Sequence, residues 1–403
     1  MRIKMTPIEL YIHIPFCVKK CLYCDFLSGV FDEKMQRRYV AALCTEIKYA
    51  ASTHPGCIVS TIYVGGGTPS WLSEDLMDAI ITTVKSCFKL DPLAEISVEC
   101  NPGTLSSEKL NVYRSIGINR LSIGLQSAND DELKELGRIH DYNRFLHTFD
   151  LVRKAGFDNV NVDIMTGLPH QTIEKLDRTL NAVTMLRPEH ISAYSLIIEK
   201  GTPFYEKYKF DAVKQQAGME TEDLPTDVLS YRLYKHTMDF LESKGYKRYE
   251  ISNYARNGKI CRHNVGYWDR VPYLGLGLGA ASLFGNMRTS NVRDIYKYIE
   301  TSEALEKGIT LDCELSSPYF ESEEIISKKD AMAEFMFLGL RKIDGIARAD
   351  FYQMFDIDIE AIYGPVITAL RNQGFMDAKE GRLFLTDIGI DVSNQVLSKF
   401  LLD

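Results

Sequence analysis

Between Glu9 and Pro203, short apolar runs alternate six times with amphipathic stretches. The runs are 9–14 (ELYIHI), 60–70 (STIYVGGGTPS), 94–100 (AEISVEC), 119–127 (NRLSIGLQS), 159–169 (NVNVDIMTGLP) and 190–203 (HISAYSLIIEKGTP). Helical patterns fill the gaps at 33–52, 73–88, 106–117, 129–136, 142–155 and 172–185. Ser73 with Asp75 opens the second of these and Gly117 ends the third, as helix boundaries require. Apolar strands that alternate with helices predict a parallel sheet covered by helices. Six units are too few to close an eight-stranded barrel. The expected fold class is therefore α/β, an open partial (β/α)6 barrel.

The remainder reads differently. Residues 206–226 form a polar stretch, expected to be a loop or insertion, and a long helix follows at 226–244. Then come YEISNYAR, CRHNVGYWDR and the glycine-rich YLGLGLGAAS, with a polar linker expected over 306–329. The GLGLG tract (275–279) lacks the spacing of a dinucleotide fingerprint and reads as a backbone loop near the barrel mouth. The last segment predicts helices at 330–340, 347–353 and 359–373, a hairpin at 375–386 and a closing helix, a winged-helix-like α+β module. This divides the chain into a barrel (1–205), an extension (206–305) and a C-terminal module (306–403). Residues 328–403 hold nine Lys/Arg against twelve Asp/Glu, a net of −3. Phosphate binding needs clustered cations, so no nucleic-acid partner is expected.

The whole chain of 403 residues carries a net charge of −8, which gives no general attraction to nucleic acid or anionic lipid. A peripheral membrane contact stays open. The N-terminus (MRIKMTPIELYIHIPF) has no apolar run of about 7–15 residues before a small-residue cleavage site, so it does not read as a secretory leader. No apolar stretch reaches the roughly 18 residues of a membrane-spanning helix. Nine cysteines, odd in number and mostly scattered among apolar neighbours, read as reduced thiols of a cytoplasmic protein.

Three of them cluster. HIPFCVKKCLYCDF places Cys17, Cys21 and Cys24 in a C-x3-C-x2-C pattern just after the first strand. Incidental core cysteines are one reading. Zinc is another, with His13 as a fourth ligand, although structural zinc usually takes paired C-x2-C-like ligands. A [4Fe–4S] cluster normally takes four cysteines. Three leave one iron open to a small molecule, and this reading fits the spacing best.

C-x3-C-x2-C after a first strand resembles the signature of the radical S-adenosylmethionine (SAM) superfamily. The resemblance implies a partial (β/α)6 barrel and a cluster whose open iron chelates the amino and carboxylate groups of SAM. It also gives a meaning to GGGTP (Gly65–Pro69), at the end of the second strand, where parallel barrels place their active sites. Glycines there let backbone amides approach a ligand. Gly66, Gly67 and Thr68 match the superfamily's loop for the SAM amino group. Glu99, Gln126, Arg138 and Asp163 sit in or just after later strands. Each alone reads as an ordinary rim residue. Together they match residue types of the anaerobic coproporphyrinogen III oxidase branch, where they would bind the ribose, adenine and carboxylate of SAM. Tyr11 matches that branch's tyrosine beside the cluster.

Two departures separate the chain from the branch's oxidases. Their motif continues to a further cysteine, where this chain has Phe26, and their N-terminal segment before the cluster is longer. HNVGYW (His263–Trp268) instead matches the H-N-x-x-Y-W motif of the branch's heme chaperone subgroup. A neutral imidazole is an ordinary axial ligand of heme iron. His263 is thus the candidate heme ligand, with Cys261 as the alternative thiolate. The resemblance implies a chaperone that binds heme, a [4Fe–4S] cluster and SAM and passes heme to respiratory hemoproteins, without porphyrinogen turnover. The alternative is an oxygen-independent coproporphyrinogen III oxidase, which decarboxylates propionates through a deoxyadenosyl radical.

Overall fold

The computed structural model describes residues 5–309, 311 and 313–402. Four residues of the N-terminal segment, two positions of the expected linker and the last residue lie outside this set. Six parallel strands stand side by side in chain order: β1 (Thr6–Ile14), β2 (Cys57–Gly66), β3 (Lys89–Cys100), β4 (Arg120–Gln126), β5 (Val160–Thr166) and β6 (His190–Ser195). Helices Glu33–Thr53, Glu74–Cys87, Ser107–Ser115, Tyr142–Lys154 and Ile173–Leu186 connect them. The partial barrel expected from the alternation is present.

Period-two alternation decides what each face does. In β4, Leu121, Ile123 and Leu125 pack under the helices, as do Val160, Val162 and Ile164 of β5. Each such side chain contributes roughly 1.5–3 kcal/mol on burial. The intervening Arg120, Ser122, Gln126, Asn161 and Asp163 face a cavity inside the curve of the sheet. The lumen is polar, and that is where the site lies.

The sheet is larger than six strands. Beyond β6 run β7 (Lys247–Arg248) and β8 (Asn253–Ala255), and β8 pairs antiparallel with β6. On the other side β9 (Tyr273–Leu276) pairs parallel with β1. β10 (Ala281–Phe284), β11 (Met287–Asn291) and β12 (Phe320–Ile325) continue antiparallel. The final order is β12-β11-β10-β9-β1-β2-β3-β4-β5-β6-β8-β7.

Two segments fold differently from the sequence expectation. The stretch read as a loop over 206–226 begins inside a helix, Pro203–Gln216, and β6 ends earlier than expected. Thr202 caps that helix by accepting from the Tyr205 amide, and Pro203 takes its first position. Phe204 and Tyr208 are buried, while Asp211 accepts from the amides of Glu222, Asp223 and Leu224 and winds the polar tail against the helix. The expected linker at 306–329 contains β12, an edge strand whose FESEEI sequence has no apolar alternation. Such charged edges are how sheets avoid pairing with further chains.

The C-terminal module has helices Lys328–Gly339, Arg348–Phe355 and Ile359–Asn372 and a sheet of β13 (Ile346–Ala347), β14 (Met376–Lys379) and β15 (Arg382–Leu385) in the order β13-β15-β14. Phe335, Phe351, Phe355 and Tyr363 form its core. Glu334 ties it to the turn before β9 through Arg270 at 2.7 Å and to β11 through Arg288 at 2.8 Å.

Helix Glu33–Thr53 anchors the sheet's second half through one buried carboxylate. Glu46 accepts from the Gly277 amide at 2.7 Å, the Asn291 amide group at 2.6 Å and the Tyr298 hydroxyl at 2.5 Å. The GLGLG tract is the turn being held. Gly277 has φ +101°, and a Cβ there would meet the Tyr39 hydroxyl. Glu46→Ala strands three buried donors and is expected to lower the unfolding free energy by about 3 kcal/mol. Burial pushes the Glu46 carboxyl up to about 7. A carboxyl raised on folding contributes stability that is full below its unfolded value and lost as pH rises through the folded one. The gap between wild type and variant should therefore narrow from about pH 5 to about pH 8 in denaturant titrations. A gap that is absent, or that widens with pH, would contradict this assignment.

Candidate functional site at the barrel mouth

The cysteine loop is closed at its ends by backbone. Cys17 donates to the Gly29 carbonyl and Gly29 to that of Pro15, both at 2.9 Å. Further in, the Leu22 amide donates to Leu136 and the Phe204 amide to Leu22, so the loop is fastened to the barrel rim at its midpoint. Cys17, Cys21 and Cys24 all line one cavity of about 620 Å³. His13 does not join them. Its Nε2–H donates to the Leu27 carbonyl at 2.8 Å, and Nδ1 accepts from the Tyr11 hydroxyl at 3.0 Å. The zinc reading thus loses its fourth ligand. Among the described residues no three Cys, His, Asp or Glu side chains converge on a single-ion position. A cluster needs no such convergence, because its irons are spread over a cube.

The glycine tract lies against this loop. Gly67 donates to the Ile14 carbonyl and Thr68 to that of Phe16. A Cβ on Gly67 would stand 2.7 Å from the Phe16 oxygen and 3.0 Å from the Cys17 sulfur. Gly66, at φ +116°, donates its amide to Glu99 at 3.0 Å. Only glycine permits both the turn and the approach. The Thr68 hydroxyl points at the Cys17 sulfur, 3.8 Å away.

Glu99, Gln126, Arg138 and Asp163 line the same cavity. Arg138 donates to the Cys21 sulfur at 3.5 Å, to Asn101 at 2.7 Å and to the Gly124 carbonyl at 2.6 Å, while its buried Nε has no partner among the described residues. Gln126 ends β4 at φ +75° and accepts from the Tyr194 hydroxyl at 3.0 Å. Burial, and then the neighbouring Asp163, push the Glu99 carboxyl up to about 7. Burial also raises Asp163, against bonds from Asn161, Ser192 and Ser122. Three thiols, two close-approach glycines, an orphaned guanidinium nitrogen and two acceptors on one wall fit a three-cysteine cluster with SAM beside it. Tyr11 stands outside the cavity wall, bonded to His13 and stacked on Tyr63 at 6.5 Å between centroids. Asn101 and Tyr194 join the site without a sequence motif of their own. Asn101 follows Glu99 by two positions in VECNP, which was its only signal.

The two candidate heme ligands are turned away from the cavity. His263 and Cys261 flank the start of a short helix, Arg262–Trp268, that fills the lumen below the site. His263 is 1% exposed. Its Nδ1 is 2.7 Å from the Thr61 hydroxyl and its Nε2 3.1 Å from that of Tyr267, and its ring stacks on Tyr63. Burial holds it neutral, with its pKa down to about 3. The Cys261 thiol is buried, pushed up to about 12, and donates to Glu95 at 3.7 Å. Both ring nitrogens of His263 are engaged and the Cys261 thiol is buried and protonated, so neither is presented to iron in this arrangement. Gly266 is needed for it, because a Cβ there would collide with the Glu9 carboxylate. Asn264 is the motif residue that reaches the cavity.

Gly67→Ala is expected to push the Phe16–Cys17 segment off its position. After anaerobic reconstitution, iron and sulfide per chain should fall to less than about half of wild type with helical content unchanged. A variant carrying all three Cys→Ala changes gives the zero level. A full complement in Gly67→Ala would show that the close approach is not required.

A model of the radical SAM superfamily matches residues 11–183, and one of the HemN C-terminal domain matches 326–392. Curated proteins named Heme chaperone HemW are similar over nearly the whole chain. That of Lactococcus lactis subsp. lactis (strain IL1403) is 34% identical over 98% of each chain. Those of Bacillus subtilis (strain 168) and Escherichia coli (strain K12) are 34% identical over 97% of this chain and 98% of the relative, and 32% identical over 99% of each. The solved structure of coproporphyrinogen III oxidase (HemN) from Escherichia coli, described as a radical SAM enzyme, superposes with a TM-score of 0.81. It covers 99% of this chain and 91% of its own at 23% identity, which speaks for the fold alone. A [4Fe–4S] cluster and SAM follow from the superfamily. The chain belongs to the radical SAM superfamily and, within it, to the family of the curated heme chaperones HemW.

Proposed function

We propose that this protein is a heme chaperone on a radical SAM scaffold, which binds heme and delivers it to respiratory hemoproteins. The observation that carries this is the end-to-end similarity to curated heme chaperones, 34% identity over 98% of both chains. It spans barrel, motif helix and C-terminal module alike. Cys17, Cys21 and Cys24 hold the cluster. The amides of Gly66 and Gly67, with Thr68, approach the methionine end of SAM, Arg138 supplies a cation for its carboxylate, and Glu99, Gln126 and Asp163 accept from or pair with the nucleoside. Tyr11 supports them from behind through His13. When bound, the cluster supplies one electron at low potential. His263, or Cys261, reaches heme iron only if the motif helix releases it.

The oxidase reading has the shared fold in its favour. Against it stands Phe26, 63% exposed on the cavity wall at the position where the oxidase pattern continues with cysteine. Membrane contact, if recipients are membrane-bound, is peripheral in this proposal. Among the described residues no helix is long and apolar enough to cross a membrane.

The test is a hemin titration of the reconstituted protein followed by the Soret band, run beside an anaerobic assay with coproporphyrinogen III, SAM and a strong reductant. Saturable hemin binding without decarboxylated product is expected. Sustained product formation, or no hemin binding, would overturn the reading.

A further inference from the structure

Arg120 is the one charged residue of β4, and it sits inside the barrel. Its register opposite Ser97 puts it one layer below Glu99, at the N-terminal end of β4. It is 2% exposed, lines the cavity, and its Nε and Nη1 have no hydrogen-bond partner among the described residues. A guanidinium cannot shed its charge, and buried donors without acceptors cost stability. Such a group calls for a partner.

The protein's own carboxylates do not supply one. Glu95, Glu99 and Asp163 all lie near enough to feel the Arg120 charge. Glu95 is taken by the Cys261 thiol and the amides of Arg262 and His263. Glu99 is taken by Gly66 and Tyr63, and Asp163 by Asn161 and Ser122. None forms an ion pair with Arg120 among the described residues. Toward the mouth, Ser122 and Asn161 stand one layer above it and Ser192 a further layer up, and the motif residue Asn264 lines the same cavity. A cation at the foot of such a polar wall suits a planar, two-oxygen anion, which a guanidinium grips with parallel bonds.

We propose that Arg120 receives a carboxylate of the cavity's ligand, and that this carboxylate is a propionate of a tetrapyrrole. The proposal rests on the heme-chaperone reading. SAM also carries a carboxylate, but its methionine end belongs beside the cysteines, where Arg138 already stands against Cys21. Arg120 lies at the other end of β4, about 20 Å along the strand from Gln126 at roughly 3.3 Å per residue. A propionate hangs on a flexible two-carbon arm and can descend into a polar well that the macrocycle does not enter.

The test uses the full chain with its reconstituted cluster and three probes: hemin, the dimethyl ester of iron protoporphyrin IX, and SAM. Wild type should prefer hemin over the ester by about tenfold or more, the worth of one charge-assisted bidentate pair. Arg120→Gln should lose about tenfold for hemin and little for the ester or SAM, and Arg120→Lys should keep part of the preference. Asn264→Asp, on the cavity-facing side of the motif helix, sets a competing carboxylate on the cavity wall and should erase the preference even if Arg120→Gln fails to fold. Equal losses for hemin and ester would make Arg120 a structural residue and overturn the proposal. So would a wild type with no preference, an Asn264→Asp variant that keeps it, or a loss confined to SAM. If wild type binds neither porphyrin, the heme-chaperone reading fails and this site falls with it.

Discussion

A parallel sheet must hide both faces, and here only one of them is apolar. The helices cover Leu121, Ile123, Val160 and Val162, and the other face turns Glu99, Arg120, Asn161 and Asp163 into a lumen. Six strands curve enough to gather these side chains but not enough to pack them against each other, as eight would. Polar groups brought together in a poorly hydrated space must be bonded or charged at a cost. The bonds seen in the lumen are the consequence: Asn161 on Asp163, Tyr63 on Glu99, Tyr194 on Gln126. What those bonds leave over is a cavity with thiols at one end and a guanidinium at the other.

The same constraint explains the helix Arg262–Trp268. Something has to close the lumen where the barrel lacks strands, and it has to be polar. His263 satisfies Thr61 and stacks on Tyr63, the first amides of the helix satisfy Glu95, and Gly266 leaves room for Glu9. Beneath the helix, Val265 and Trp268 line a second cleft of about 1270 Å³ shared with the C-terminal module. The motif is thus the partition between two cavities.

Much of the site was legible because its chemistry is local in the chain. Three thiols in eight residues, a glycine triplet at a strand end and polar residues at later strand ends each carry their own signal. Gly66, Gly67, Thr68, Glu99, Gln126, Arg138 and Asp163 all line the cavity with the cysteines. The strands were legible for the same reason, as apolar runs of the right length. What failed was non-local. The helix Pro203–Gln216 has lysines and apolar residues on every side, and β12 is a charged edge that only its neighbour β11 defines. The orientation of His263 depends on Thr61, some two hundred residues earlier in the chain. Arg120 belongs to no motif in the sequence, and only the absence of a partner in the fold gives it meaning.

The position of His263 sets an energetic condition on any role in heme binding. Freeing the ring means giving up bonds to Thr61 and Tyr267, each worth about 1 kcal/mol net, and a stacked contact with Tyr63 worth about 0.5–1.5 kcal/mol. It also leaves the Thr61 hydroxyl and the Glu9 carboxylate, already pushed up to about 8 by burial, facing an emptied lumen. A metal–ligand bond can offset a few kcal/mol, but only if the helix has somewhere to go. The cleft on its far side provides that space, and Gly266 leaves the helix with no side chain wedged against β1. If His263 is the iron ligand, coordination is coupled to opening the partition. A protein built this way would hold heme firmly in one arrangement and loosely in the other, which is the physical requirement for a carrier rather than a sink.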